Sequence, residues 1–171
     1  MGENMLYKEI YYNDKLNKEN IIKDICYELN RLSKDKLNIE ANFTYIFLEN
    51  ENSYNIYNKN KSYQDNRLDL NMKIYYEGGS EDFLYAYILW FSVNPKKKGI
   101  GSYIIKKITA ILKLLTNIEV IIIHPKDKEV KNFWIRNRFH EDNTNLLSRR
   151  NIKLNTRRIL IYELAKTNVD S

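Results

Sequence analysis

The sequence predicts a mixed α/β (α+β) fold, one domain over residues 1–171, and three observations predict it. Residues 118–123, IEVIII, are a short β-branched run of the kind buried in a parallel sheet. Residues 102–115 set Ile104, Ile105, Ile108, Ile111, Leu112 and Leu115 on one face at helical spacing. Residues 83–93, FLYAYILWFSV, are apolar on both faces, as a central strand is. Strand, glycine-containing turn, amphipathic helix and strand form a βαβ unit, right-handed by the rule for parallel crossovers. A chain of this length buries most of its apolar surface, so its core needs neither disulfide nor metal.

The remaining elements follow from local pattern. LYKEIYY, residues 6–12, reads as a short strand. Residues 17–34 read as a helix, with Ile21, Ile22, Ile25, Cys26, Leu29 and Leu32 on one stripe. Cys26 lies on that stripe and is expected as a small core residue. NFTYIFLE, residues 42–49, reads as a strand, and the polar, Asn-rich residues 49–66 as a long loop that borders a site. Leu68, Leu70, Met72 and Ile74 alternate with polar residues, the mark of a half-buried strand. EGGSED, residues 77–82, is a turn, so residues 68–93 form a β-hairpin. After the βαβ unit a helix carries Val130, Phe133, Trp134 and Asn137 on one face, with Asp127 as N-cap. ILIYEL, residues 159–164, is a last strand, the basic stretch 149–158 an exposed hairpin, and residues 165–171 a fraying end.

Composition excludes several functions. The single cysteine, Cys26, rules out an intrachain disulfide and suits a reducing cytoplasmic setting. Two histidines, His124 and His140, and that cysteine cannot close a zinc site without carboxylates, so no metal is expected. No apolar run reaches membrane-spanning length, and the first residues lack the basic and apolar regions of a secretory signal. Met1-Gly2 raises N-myristoylation, but position 6 is Leu6 where that motif needs Ser or Thr. A net charge of +6 admits an anionic small molecule or a nucleic acid as partner.

Chemistry concentrates in residues 90–108, WFSVNPKKKGIGSYIIKKI. A helix that begins at a glycine turn exposes unpaired N–H groups and the positive end of its dipole, and anions bind there. Gly99 and Gly101 lack Cβ, so a phosphate can approach the backbone, and Lys96, Lys97 and Lys98 add charge at the rim. The phosphate loop of the Walker A type is absent. A dinucleotide fingerprint would need a third glycine where Ile104 stands, and Glu119 sits at the start of the next strand rather than its end.

KKKGIG, Lys96 to Gly101, resembles the R/Q-x-x-G-x-G/A signature of the GNAT-type N-acetyltransferase superfamily, with Lys in the Arg/Gln place. DKEVKNFWIRNRF, Asp127 to Phe139, is similar to the family's downstream frame. Asp127 falls at an Asn, Val130 at a small apolar residue, Phe133-Trp134 at an aromatic pair and Phe139 at the final Phe. The resemblance covers residues 83–140. It implies a GNAT-like fold: a mixed, mostly antiparallel twisted sheet with a central parallel βαβ unit and flanking helices. It also implies acetyl-CoA as cofactor, its pyrophosphate on Lys96–Ser102, Ile100 included. The pantetheine arm then enters between two splayed parallel strands beside Phe91 and Val93, with Asp127, Phe133 and Trp134 nearby. Three departures stand out. Trp134 replaces the Tyr that often protonates the leaving thiolate, and indole only donates a hydrogen bond. Arg138 replaces a Gly before the last Phe, and Pro95 lies two residues nearer the glycines than is common.

The resemblance implies direct attack of a primary amine, from a small molecule or a protein, on the thioester. His124 is the candidate base, since imidazole titrates near neutrality; a histidine that merely closes the strand end is the alternative. Tyr85 and Tyr87 share a strand face with Phe91 by alternation and are candidate acids or lining residues; core aromatics with satisfied hydroxyls are the alternative. Two rival functions remain. One is a CoA-binding module of the same fold without turnover, suggested by Trp134. The other, ranked last, is a nucleic-acid binder using basic charge and tyrosine stacking. No nucleic-acid or membrane partner is expected, and a homodimer is left open.

Overall fold

The computed structural model describes residues 3–60, 67–77, 82–94, 96, 99–154 and 158–164, with side chains from residue 17 onward. The chain opens with a 35-residue helix α1, Glu3–Leu37. The strands β1 (Phe43–Leu48), β2 (Ser53–Asn58), β3 (Arg67–Tyr76) and β4 (Phe83–Asn94) follow. Then come α2 (Ile100–Leu115), β5 (Val120–Ile123), α3 (Lys128–Arg136), the one-turn α4 (Leu146–Arg149) and β6 (Leu160–Glu163). The six strands lie in chain order in one open sheet. Every neighbouring pair is antiparallel except β4–β5, which is parallel and is bridged by α2.

Three of the expected elements differ in the structure. Residues 6–12 are helical, not a strand. No Gly or Pro interrupts residues 3–37, so the helix set by the Ile22–Leu32 stripe propagates through a segment whose tyrosines and isoleucine favour strand only weakly. Within the expected loop 49–66, Ser53–Asn58 form β2; residues 61–66 lie outside the described residues. A one-turn 3-10 helix, Glu49–Glu51, reverses the chain and Asn52 closes it at φ 46°, a left-handed conformation that Asn tolerates. Tyr54 and Ile56 then point into the core while Ser53, Asn55 and Tyr57 alternate to the other face. The expected hairpin at 149–158 begins instead as the end of α4 and an irregular segment with Ile152 buried. Residues 155–157, the turn residues 78–81 and the end 165–171 lie outside the described residues. The β3–β4 hairpin itself is present, with Leu68 opposite Val93 and Ile74 opposite Ala86.

The main core lies between one face of the sheet and the helices α1 and α2. Ile22, Ile25, Cys26, Leu29 and Leu32 of α1 and Ile104, Ile105, Ile108 and Leu112 of α2 pack on Leu68, Leu70, Met72 and Ile74 of β3. Each such side chain contributes about 1.5–3 kcal/mol on burial. The second face carries a smaller cluster, Val120, Ile122 and Ile161 under Leu147 and Ile152, with Tyr85 and Tyr87 beside it.

β4 carries two register shifts against β3. Tyr75 faces Tyr85 but Tyr76 faces Phe83, and Met72 faces Ile88 but Asn71 faces Trp90. Leu84 and Leu89 are therefore the extra residues, and each reverses which face the following side chains take. Ala86 and Ile88 belong to the helix-side core; after Leu89 it is Phe91 and Val93 that do.

Candidate functional site

The parallel pairing of β4 with β5 spans three residues, from Ala86↔Ile121 to Ile88↔Ile123. β5 ends there, while β4 continues past the Leu89 bulge to Asn94. No described strand pairs the Leu89–Val93 stretch on the β5 side, so the sheet opens into a notch. The predicted cofactor loop follows immediately. Lys96 is exposed; Lys97 and Lys98 lie outside the described residues. Gly99 is the N-cap of α2 at φ 90°, ψ −18°, with no side-chain cap. The first intrahelical bond is Tyr103 N–H to Gly99 C=O at 2.9 Å, so the N–H groups of Ile100, Gly101 and Ser102 precede the ladder and are available to an anion.

The two glycines serve different ends. Among the described residues a Cβ on Gly99 would meet nothing within 4 Å, and its positive φ is what demands glycine. A Cβ on Gly101 would stand 3.3 Å from Phe133 Cε2 and 3.7 Å from Phe91 Cε1. Gly101 therefore lets α2 close on the aromatic cluster; its missing side chain faces the interior rather than a ligand. In that cluster Phe91 stacks on Phe133 with centroids 6.1 Å apart, and Trp134 meets Phe91 edge-on at 5.7 Å and Phe139 at 4.8 Å. Trp134 is buried, so it fills the helix side of the notch as core. Val130, expected on the same face, is exposed.

Asp127 caps α3 as expected, its Oδ1 accepting from Val130 N–H at 2.8 Å. The carboxylate thereby occupies that helix start, and like charge keeps a second anion from it. At the other end Arg138 takes φ 71°, and Phe139 N–H bonds Trp134 C=O at 3.1 Å, the pattern that ends a helix through a left-handed residue.

The expected sharing of a face between Tyr85, Tyr87 and Phe91 does not hold. The Leu89 bulge puts the two tyrosines on the open face and Phe91 on the helix side. Tyr85 stacks on Tyr75 at 4.5 Å. Burial first, then the neighbouring Tyr75, pushes the Tyr85 phenol up to about 12. Burial raises Tyr87 as well. Both keep their protons at neutral pH and act as donors. His124 is exposed, directly after Ile123, and continues the alternation that puts Val120 and Ile122 on the open face.

The expected residues thus divide into two groups. Phe91, Val93, Gly101, Phe133 and Trp134 lie toward the helices, and Tyr85, Tyr87 and His124 lie on the opposite face, with the notch between them. Sequence reasoning missed Trp90, which is 48% exposed on the open face with the Lys126 ammonium 4.2 Å from its ring centre. Its place inside an apolar run hid it. Among the described residues no cluster of His, Cys, Asp and Glu could hold a metal ion, and no helix is long and apolar enough to cross a membrane. What fold and site define is the class: a mixed α+β protein with an open, mostly antiparallel sheet notched at its one parallel pair. No known family model matches the chain, and no curated protein is similar to it.

Proposed function

We propose that the chain is an acetyl-CoA-dependent N-acetyltransferase of the GNAT type, acting on a primary amine. The observation that carries the reading is the notch: β5 leaves opposite Ile88, β4 runs on with an unpaired edge, and the glycine start of α2 follows within a few residues. An unpaired strand edge accepts an amide-bearing arm as it would another strand. The free N–H groups at Ile100–Ser102, with Lys96 close by, suit the pyrophosphate. The left-handed Arg138 adds support, because it stands where the family has Gly and adopts the conformation that favours Gly.

The neutral amine attacks the thioester carbonyl, a C–N bond forms, the C–S bond breaks, and an N–H on the β4 edge holds the oxyanion. The proton leaving the amine goes to His124 or to water, and a phenol, Tyr87 or Tyr85, passes one to the thiolate and regains it from water. The acyl group passes through the notch from the helix side to the open face, where these three residues stand. Trp134 takes no part beyond packing.

Acetyl-CoA at about 100 times its Kd should stabilise the fold by about 2.7 kcal/mol. At about 2–4 °C per kcal/mol for a chain of this size, the melting temperature rises by roughly 5–11 °C. An unchanged melting temperature at saturating cofactor would sink the reading. The second reading, a CoA-binding module without turnover, is favoured by Trp134 standing in place of the family's Tyr. It predicts the same thermal shift with no thiol release from acetyl-CoA across a panel of amines.

A further inference from the structure

The open face of the sheet is chemically organised, and no described helix covers its β1–β3 part. The registers align its side chains in rows across the strands. Asn55 of β2 lies opposite Lys73 of β3, which lies opposite Tyr87 of β4. In the next row Tyr57 lies opposite Asn71, which lies opposite Trp90 at the notch. The charged groups here are matched internally: Lys73 Nζ meets Glu51 at 2.5 Å, and Arg67 Nε meets Asp69 at 3.3 Å. Between them stand uncharged amides and phenols. The Oδ1 atoms of Asn55 and Asn71 are out of reach of solvent and accept no hydrogen bond from any described residue. A shielded acceptor without a donor costs free energy, and apolar side chains would serve a merely structural sheet face better. A half-turn about χ2 exchanges the oxygen and nitrogen of a carboxamide, and a hydroxyl can donate to the one or accept from the other.

We infer that this face binds the acetyl acceptor, and that the acceptor is a polyhydroxylated amine of the amino-sugar class. Hydroxyls bond the carboxamides of Asn55 and Asn71 and the phenols of Tyr57 and Tyr87, while a C–H face of the ring lies on the exposed indole of Trp90. That places the amine at the notch beside Tyr87. The charge pattern decides against a polycation: no net negative charge is present in these rows, and the Lys126 ammonium over Trp90 repels one at the entrance. The assignment of the reactive end rests on the acetyl-transfer reading; the binding face does not.

The two tryptophans make binding directly readable, because Trp90 is 48% exposed and Trp134 only 2%. The full chain without acetyl-CoA is titrated with the monoamines glucosamine and galactosamine to millimolar concentration, following tryptophan emission, with spermidine and a lysine-containing peptide in parallel. A saturable change with the amino sugars, absent in Trp90→Phe, is expected. Calorimetry with Asn55→Leu and Asn71→Leu should show roughly tenfold weaker binding for each, with melting temperatures unchanged or higher since an unsatisfied acceptor is removed. Binding of spermidine or the peptide in preference to the amino sugars overturns the inference, as does binding by none of the probes or affinity indifferent to both Asn substitutions. Failure of acetyl-CoA to shift the melting temperature is a separate result, which removes the transfer chemistry and leaves the sugar-binding face standing or falling on its own titration.

Discussion

Replacing Gly101 by Leu tests the packing of the site at its tightest point. The new Cβ arrives 3.3 Å from Phe133 Cε2 and 3.4 Å from Cζ, with Phe91 Cε1 at 3.7 Å. Alanine needs the Phe133 ring to give by a few tenths of an ångström, and helix propensity returns up to about 1 kcal/mol. Gly101→Ala should therefore be close to neutral. Leucine drives three more carbons into the Phe91–Phe133–Trp134 cluster, and overpacking of this kind costs about 1–3 kcal/mol. The melting temperature should fall by roughly 2–12 °C at about 2–4 °C per kcal/mol. Gly99 behaves differently, because a Cβ there meets none of the described residues within 4 Å and the cost comes from φ 90°. Gly99→Ala and Gly99→Leu should both lose about 1–2 kcal/mol, without dependence on size. Thermal melts by circular dichroism read all four variants. A Gly101→Leu protein that melts with the wild type, or a Gly99 series that steepens with side-chain volume, would refute the assignment of the two glycines.

Three further predictions rest on named groups. Arg138→Gly relieves the left-handed φ of 71° at the end of α3 and should raise the melting temperature by roughly 2–4 °C, for a gain of about 1 kcal/mol. The Cys26 thiol is pushed up from 9.0 to about 12 by burial, and Tyr85 from 10.0 to about 12 by burial and then by Tyr75. Cys26 should thus resist a thiol reagent in the native protein at neutral pH and react on unfolding. Both folded-state values lie above the unfolded ones, so the native state holds protons that the unfolded chain releases. Their contribution to stability is complete below about pH 9 and is lost as the pH climbs toward 12. A melting temperature constant from pH 9 to 12 would contradict this.

Much of the fold is legible because periodicity reports burial. The stripes Ile22–Leu32 and Ile104–Leu112 each declare one buried face and the β-branched run at 120–123 declares two, and the structure buries those faces. Asp127 is legible as a cap because a short carboxylate before an apolar periodic segment has one favourable partner, the Val130 N–H. The long N-terminal extension of α1 is not legible: its residues carry mixed propensity, and cooperativity with the helix that follows decides the outcome. Nor is β2, since SYNIYN is polar enough to read as loop, and only pairing with strands on both sides makes it a strand.

The sequence by itself determined the βαβ unit, the glycine start of α2 and the apolar stripes, because those depend on residues close along the chain. The tertiary structure alone decided how the candidate site is divided. Strict alternation puts Tyr85, Tyr87 and Phe91 on one face, and nothing in FLYAYILWFSV marks Leu89 as an extra residue. The bulge lies in the pairing of β4 with β3, Met72 with Ile88 but Asn71 with Trp90, which the residues of β4 alone do not fix. A one-residue shift reverses every side chain beyond it. That shift sends Phe91 to Phe133 and Trp134 beneath the sheet and leaves Tyr87 and Trp90 on the open face, one group on each side of the notch.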